Sequence, residues 1–170
     1  MSSKYNIGQA RVYEFLSENN IPFQYYEHEE AGTIEQAEKA WKNITAEKCK
    51  NIFFRNHKGN RHYLVILEHK RSLNIHQLEQ KLHQGKLTFA SEIRLEKYLG
   101  VKPGSVSPFG LLNDNENHVY VFIDKQLESA EEISFHPNDN HATLVIKNID
   151  FKKMLALTGN DYEYISLYPE

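Results

Sequence analysis

Residues 51–67 read Asn-Ile-Phe-Phe-Arg-Asn-His-Lys-Gly-Asn-Arg-His-Tyr-Leu-Val-Ile-Leu. Two runs of apolar, aromatic and β-branched residues, Asn51–Asn56 and His62–Leu67, flank a turn that contains Gly59. Runs of this composition around a glycine-containing turn are typical of a β-hairpin, in which the glycine is free to take a positive φ. This stretch therefore predicts two antiparallel strands, and it commits the chain to a fold built on a sheet.

The patterns on both sides of the hairpin predict helices and strands in irregular order. Helical spacing and capping residues predict helices at Gly8–Asn20, from Thr33 to about Lys42, from Asn74 to before Gly85, at Glu92–Leu99 between Ser91 and Gly100, and from Asn148 to Gly159. Apolar runs predict further strands at Phe23–His28, Lys86–Phe89, His118–Ile123, Glu132–His136, Ala142–Ile146 and Tyr162–Tyr168. Because strands and helices do not alternate strictly, an α+β class with a mixed sheet is favoured over a doubly wound fold.

The length and composition are those of one globular domain. The 170 residues are 40% hydrophobic and 25% charged, and we expect a single domain over residues 1–170. No apolar run approaches the length of a membrane span, and the first residues lack the apolar stretch of a signal peptide. With Cys49 alone, no disulfide can form within the chain. A cytoplasmic protein without membrane association is expected.

The charge is unevenly distributed along the chain. The formal net charge is −3, but the segment from Lys42 to Arg71 contains eight basic residues and only two acidic ones, Glu47 and Glu68. A local basic segment on an acidic protein suits brief contact with a phosphate backbone. The alternative is that these residues are solvated strand and hairpin edges, where lysine discourages aggregation.

The sequence lacks the common catalytic and cofactor signatures. There is no Gly-x-Gly-x-x-Gly, Walker loop, Gly-x-Ser-x-Gly or His-Glu-x-x-His motif, and the nine histidines are scattered. We therefore expect no metal site and no cofactor. The loop Gly104–Pro108 has small residues between a glycine and a proline, and such a loop can aim several backbone N–H groups at a carbonyl or oxyanion. An ordinary connector between two elements is the equal alternative.

Four segments resemble the YbaK-type prolyl-tRNA editing family, and more narrowly its free-standing ProX/PrdX-like branch. They are Lys50-Asn51-Ile52-Phe53-Phe54-Arg55, Phe89-Ala90-Ser91-Glu92, Leu99-Gly100-Val101-Lys102-Pro103-Gly104-Ser105-Val106-Ser107-Pro108-Phe109-Gly110-Leu111 and Phe135-His136-Pro137. They occur in family order and cover nearly the whole chain, and the third is the most specific.

The resemblance implies both a fold and an activity. The fold is α+β, a mixed barrel-like sheet flanked by helices, as in the domain associated with prolyl-tRNA synthetase. The activity is hydrolysis of wrongly charged tRNA, with alanyl-tRNA(Pro) as the substrate and prolyl-tRNA synthetase as a further partner. The implied catalytic residues are Lys50, Asn51, Gly104, Ser105 and His136, and the implied substrate-binding residues are Ser107, Pro108 and Asn140. The sequence departs from the family pattern at Asp139 and His141.

A physical argument supports this chemistry. A synthetase pocket shaped for proline cannot strongly exclude smaller alanine, because each missing methylene is worth only about 1–3 kcal/mol. A second, tighter site can admit alanine and reject proline. Since an aminoacyl ester is labile, we expect direct attack by water, with backbone N–H groups of the Gly104–Pro108 loop at the ester carbonyl and Lys50 as a cationic anchor. If Lys50 and Asn51 both lie in a regular strand, their side chains face opposite ways.

Three alternatives to this hypothesis stay open. The protein could be a cysteinyl-tRNA(Pro) deacylase of the same superfamily or a small-molecule ester hydrolase. It could also be a non-catalytic regulator that binds tRNA or an amino acid. Contact with the tRNA acceptor stem is expected from the basic residues Lys48, Lys58, Arg61, Lys70 and Arg71. The oligomeric state is not specified by the sequence.

Overall fold

The computed structural model describes residues 5–30, 36, 38–39, 42, 44–72 and 74–168, and most of the helix expected between Thr33 and Lys42 lies outside them. The strands are β1 (Gln24–Glu27), β2 (Glu47–Asn56), β3 (His62–Glu68), β4 (Leu87–Phe89), β5 (Tyr120–Asp124), β6 (Glu132–Phe135), β7 (Ala142–Lys147) and β8 (Tyr162–Ile165). The α-helices are α1 (Ala10–Glu18), α2 (Ile75–Leu82), α3 (Glu92–Leu99) and α4 (Asn148–Thr158). Two 3₁₀ helices follow loops, η1 (Pro108–Asn113) and η2 (Lys125–Ser129).

All eight strands belong to one mixed sheet in the order β1-β7-β6-β2-β3-β5-β8, with β4 also paired to β2. The β2 strand is the longest and joins the two halves of this sheet. Its beginning pairs in parallel with β6 at Glu47 and Lys48, and its end pairs antiparallel with β4. Antiparallel and parallel neighbours in one sheet confirm the predicted α+β class.

The predicted β2–β3 hairpin and its turn at Gly59 are confirmed. The strands pair antiparallel from Cys49 opposite Glu68 to Arg55 opposite His62. Gly59 has φ +73°, the left-handed conformation that glycine adopts without steric cost. The Asn56 carboxamide oxygen closes the turn by accepting hydrogen bonds from the N–H groups of Asn60 and Arg61 at 3.1 and 3.0 Å.

Alternation along β2 divides the buried side chains between two cores. Phe53 packs in the larger core with α1, α3 and α4, whereas Phe54 packs in a second core with α2. Consecutive residues of a strand point to opposite faces of a sheet. Hence the odd-numbered residues of β2 face the larger core and the even-numbered residues face the second core.

Most of the predicted helix ends are confirmed, and one cap is wrong. The Asn74 and Ser91 side chains cap α2 and α3 by accepting backbone N–H bonds, and Gly100 ends α3 at φ +65°. Asn148, predicted to cap the last helix, instead begins it after Lys147. Its amide donates to the carbonyls of Leu127 and Ala130, both at 2.9 Å, so it joins α4 to η2. The last strand ends at Ile165, three residues before the predicted end.

A chain of hydrogen bonds attaches the hairpin to α3. Arg94 donates to the Gly59 carbonyl at 2.9 Å and to His62 Nε2 at 2.8 Å. His62 Nε2 is therefore the acceptor, so Nδ1 carries the ring proton and donates it to His118 Nε2 at 2.8 Å. The His62 side chain is 1% exposed, and burial, followed by the nearby His118 and Arg94, lowers its pKa from 6.5 to about 4.

This buried histidine makes stability depend on pH. Its folded pKa lies below its unfolded value, so the unfolded chain binds a proton first and stability is lost as the pH falls from 6.5 towards about 4. We expect the free energy of unfolding to fall by up to about 3 kcal/mol from this residue over that range. Urea unfolding at several pH values, compared with His62→Gln, measures the contribution as the difference between the two pH profiles. The exposed His57→Ala serves as control, and a His62→Gln profile parallel to that of the wild type would contradict the assignment.

Candidate active site

The connection between β6 and β7, residues 136–141, forms one wall of the candidate site. His136 begins it, half-buried, and its Nδ1 lies 2.7 Å from the Ala142 carbonyl oxygen. Because a carbonyl only accepts, Nδ1 carries the proton and donates it. Burial lowers the pKa of His136 below 6.5, so the ring is neutral at pH 7 and Nε2 carries a lone pair. His136 therefore has the protonation state of a base.

A small cavity connects His136 to β2. Asn51, His136 and Thr143 contribute its polar side chains, together with Cys49, Ser134 and Phe135. Its volume is about 10 Å³, close to the lower limit for a single water molecule. The Asn51 carboxamide oxygen is buried and accepts no hydrogen bond from any described residue. A buried acceptor without a partner is costly, and a bound water or substrate N–H would satisfy it.

A second histidine supports this cavity from β1. His28 Nδ1 lies 2.9 Å from the Glu29 carbonyl oxygen and therefore donates to it. In the neutral ring, Nε2 accepts from the Thr143 hydroxyl at 2.7 Å. The centroids of the His28 and His136 rings are 5.9 Å apart. These contacts fix the rotamer of Thr143 beside His136.

The Gly104–Pro108 loop packs against this connection at Asn140 and is the second wall of the candidate site, although its residues are not among those that line the cavity beside His136. Ser105 is 7% exposed, and its hydroxyl oxygen accepts the N–H of Asn140 at 3.1 Å. Gly104 has φ +86°, and a Cβ placed there would lie 3.0 Å from the Asn140 amide nitrogen. The two segments thus touch at Gly104, Ser105 and Asn140, three of the residues that the resemblance implied.

The backbone of this loop has unused donors. Ser105 N–H donates to the Lys102 carbonyl at 3.0 Å, but the N–H groups of Gly104, Val106 and Ser107 donate to no residue that the structure describes. Ser107 and Pro108, predicted to bind substrate, are both buried. The Ser107 hydroxyl accepts from Phe109 N–H at 3.1 Å, and Pro108 starts η1. Their side chains shape the loop, and the backbone is what the loop offers to a ligand.

Gln9 holds the two walls together, and the sequence did not point to it. Its amide donates to the Gly100 carbonyl at 2.7 Å, and its carboxamide oxygen accepts from Asn113 and Asn138 at 3.0 and 2.9 Å. Its backbone N–H donates to the Pro137 carbonyl at 3.1 Å. A glutamine just before a helix carries no signal of this kind, because its partners lie 91 to 129 residues away along the chain.

Lys50 is not brought into the cavity. It is an even-numbered residue of β2 and faces the second core, while Asn51 faces the larger core and the cavity. The Lys50 ammonium donates to the Arg71 carbonyl at 2.7 Å and forms no ion pair with the described residues. Its positive charge is thus solvated by a neutral carbonyl without a carboxylate partner.

The two residues that depart from the family pattern interact with each other. Asp139 accepts the backbone N–H of His141 at 2.9 Å and pairs with its Nδ1 at 2.8 Å. Both side chains are over two-fifths exposed. They stabilise the connection between β6 and β7 from the solvent side.

Within the described residues, no group of three or more His, Cys, Asp or Glu side chains is arranged to hold a metal ion. Among the helices that the structure describes, none has both the length and the apolar character needed to cross a membrane.

Known proteins that resemble this chain indicate one family. The family described as "Aminoacyl-tRNA editing domain" matches residues 28–154. The chain is 40% identical over 152 residues to the prolyl-tRNA editing protein ProX of Acetoanaerobium sticklandii, covering 89% of this chain and 93% of that protein. It is 32% identical to the prolyl-tRNA synthetase associated domain-containing protein 1 of Danio rerio, covering 85% and 79% of the two chains. A solved structure of a proposed trans-editing enzyme for prolyl tRNA synthetase superposes with a TM-score of 0.66 at 22% identity. The match covers 92% of this chain and 94% of that chain, and it confirms the predicted fold.

Proposed function

Because the chain belongs to the aminoacyl-tRNA editing domain family, we propose that it is a free-standing hydrolase that removes alanine from mischarged tRNA(Pro). The observation that carries the proposal is that a neutral histidine and unused backbone donors lie on two segments that touch at Ser105 and Asn140. His136 contributes a lone pair, and the N–H groups of Gly104 and Val106 contribute positive dipoles. Ester hydrolysis needs both a proton acceptor and a stabiliser of negative charge on the carbonyl oxygen.

The proposed reaction is attack by a single water on the ester carbonyl carbon. The small cavity between Asn51 and His136 has room for that water and three polar side chains to orient it. His136 Nε2 takes the proton as the new C–O bond forms. The backbone N–H groups of Gly104 and Val106 stabilise the oxyanion. The bond to the ribose oxygen then breaks, and the proton returns from His136 to that oxygen.

Selectivity for alanine would come from the separation of the two walls. The near contact of Gly104 with Asn140 keeps the loop and the β6–β7 connection close together. A narrow site of this kind admits a methyl side chain and rejects the ring of proline by steric clash. Cysteine has one sulfur atom more than alanine and is close to proline in volume, so cysteinyl-tRNA(Pro) is the alternative substrate if the site is wider.

Lys50 would act from outside the cavity. Its ammonium bonds only to a neutral carbonyl, and this leaves a positive charge that a phosphate of the tRNA terminus can bind. Association with prolyl-tRNA synthetase is proposed from the names of the relatives, and the surface that would bind it is not assigned.

The test is deacylation of alanyl-, cysteinyl- and prolyl-tRNA(Pro) by the wild type and by Lys50→Ala. We expect the wild type to release alanine and leave proline attached. Lys50→Ala is expected to raise KM more than it lowers kcat, because it removes an anchor and no reacting group. Unchanged alanine release by Lys50→Ala would remove Lys50 from the mechanism. Binding of tRNA without release from any mischarged species would favour a regulator over an enzyme.

A further inference from the structure

Four of the five basic residues predicted to contact tRNA line two different surfaces. Lys58 and Arg61 line a groove at the hairpin turn, here called the hairpin groove, with His57, Asn60, His83 and Gln84. Lys48 and Lys70 line a separate cleft, the β2-edge cleft, at the start of β2. The two surfaces differ in local charge and in the partners of their cations.

The hairpin groove is basic and contains no acidic side chain. Its volume is about 450 Å³, and its ionisable lining residues besides Tyr63 are two cations and two histidines. Lys58 and Arg61 are exposed, and neither forms an ion pair with any residue that the structure describes. An adjoining depression shares Arg61, and the glutamate beside it, Glu163, accepts from the Tyr120 hydroxyl at 3.2 Å. The cations of the groove are thus available to an external anion.

The β2-edge cleft has the opposite character. Its lining contains three glutamates, Glu38, Glu47 and Glu68, against two lysines. The Lys48 ammonium donates to the Ile44 carbonyl, and Arg71 pairs with Glu68 at 3.6 Å. A polyanion approaching this cleft would meet no excess of positive charge, so the net attraction is weak or absent.

The hairpin groove is also held in a fixed conformation. Arg94 donates to the Gly59 carbonyl, and the Asn56 side chain closes the turn. A Cβ added at Gly59 would lie 2.9 Å from the Arg94 guanidinium, which shows how closely α3 supports the turn. A preorganised surface loses less entropy on binding than a mobile loop.

The groove lies at a defined distance from the candidate active site. Asn51 and Asn56 are five residues apart on β2, which spans about 17 Å at the usual rise of a strand. Stacked nucleotides rise about 3.4 Å each along one strand, so this span corresponds to about five nucleotides. Asn51 and Asn56 face opposite sides of the sheet, so about five nucleotides is the shortest path between an ester at Asn51 and His136 and the groove.

We propose that the hairpin groove binds the phosphate backbone of the tRNA acceptor end through Lys58 and Arg61, and that the β2-edge cleft takes no part. This proposal rests on the proposed function for the position of the ester, and it adds the surface that receives the RNA. Phosphates are bound by lysine and arginine largely irrespective of sequence. The groove therefore sets affinity and position, while the choice of tRNA is made elsewhere.

The experiment compares two double variants that remove the same charge. Affinity for uncharged tRNA(Pro) is measured by fluorescence anisotropy over a salt series for the wild type, Lys58→Ala/Arg61→Ala and Lys48→Ala/Lys70→Ala. The hairpin pair is expected to reduce the slope of log K against log salt by about 1.4–1.8, as for two lost phosphate contacts. The β2-edge pair is expected to keep the wild-type slope. Equal slopes for both pairs, or a loss confined to the β2-edge pair, would overturn the proposal.

A second measurement separates this proposal from the proposed activity. Hydrolysis of 3′-alanyl-adenosine, which has no acceptor stem, is compared with hydrolysis of alanyl-tRNA(Pro). The hairpin pair is expected to raise KM for alanyl-tRNA(Pro) and leave hydrolysis of the small ester unchanged. An equal loss on both substrates would overturn the phosphate role. If the wild type hydrolyses neither substrate, the proposed activity fails, and the salt slopes still decide whether the groove binds RNA.

Discussion

Replacing His136 with asparagine is expected to lower kcat/KM for release of alanine from alanyl-tRNA(Pro) by about 100-fold or more. The asparagine amide can still donate to the Ala142 carbonyl, which His136 Nδ1 contacts at 2.7 Å, so the β6–β7 connection keeps its shape. What is lost is the lone pair at Nε2. The variant therefore separates the proton-accepting role from the structural one, and single-turnover kinetics with correction for spontaneous hydrolysis measures the effect.

The pH dependence gives a second readout of the same group. Burial lowers the pKa of His136 below 6.5, so the base stays neutral at pH values where an exposed histidine is already half protonated. The wild-type rate should therefore decline only below pH 6.5, and the remaining rate of His136→Asn should lack that decline.

His141 supplies the matched control for this prediction. It lies on the same connection, is exposed, and pairs with Asp139 away from the cavity. His141→Ala should keep the wild-type rate and pH profile. Comparable losses in His136→Asn and His141→Ala would assign the effect to the connection as a whole and reject His136 as the base.

Replacing Gln9 with alanine is expected to lower the free energy of unfolding by about 2–4 kcal/mol. The substitution removes the acceptor of the Asn138 and Asn113 amides and the donor to the Gly100 carbonyl. Asn138 is 7% exposed, and its carboxamide oxygen already accepts no bond from the described residues, so solvent cannot replace what is lost. Urea unfolding, with the midpoint and slope fitted together, measures the change.

The control for Gln9 is a glutamine without such partners. Gln80 is exposed on α2, and its side chain forms no hydrogen bond with the residues that the structure describes, so Gln80→Ala should change stability by less than about 0.5 kcal/mol. Alanine release should also fall in Gln9→Ala, because Asn138 is then no longer linked to Gly100 and Asn113, which lie on either side of the loop. If Gln9→Ala is as stable as Gln80→Ala, the hydrogen bonds of the Gln9 side chain do not stabilise the fold and the proposed role of Gln9 is wrong.

Local sequence signals predicted the local structure well. The hairpin, the Asn74 and Ser91 caps and the Gly100 terminus depend on neighbours within a few residues, which is why their patterns are visible in the sequence. Asn148 shows the limit of this reasoning. It has the composition of a cap, but the η2 carbonyls compete for its amide, and their position is set by tertiary packing.

The candidate site was predicted only in part, for the same reason. The rule of alternation indicated that Lys50 and Asn51 could not share a pocket, but not which of them faces His136. That depends on which face of β2 packs against α1 and α3. The contact of Ser105 with Asn140 joins segments 35 residues apart, and the role of Gln9 spans up to 129, so neither has a local pattern.

The β2 strand sets the distance between the candidate active site and the hairpin groove. One continuous element carries Asn51 near its middle and Asn56 at the hairpin groove, and its spacing is fixed by ladders to β3 along most of its length. Inserting one residue would turn Asn51 away from the cavity, whereas inserting two would restore its facing but add about 7 Å to the span. The length of β2 therefore sets the smallest separation between the cavity and the hairpin groove and restricts insertions and deletions in this strand.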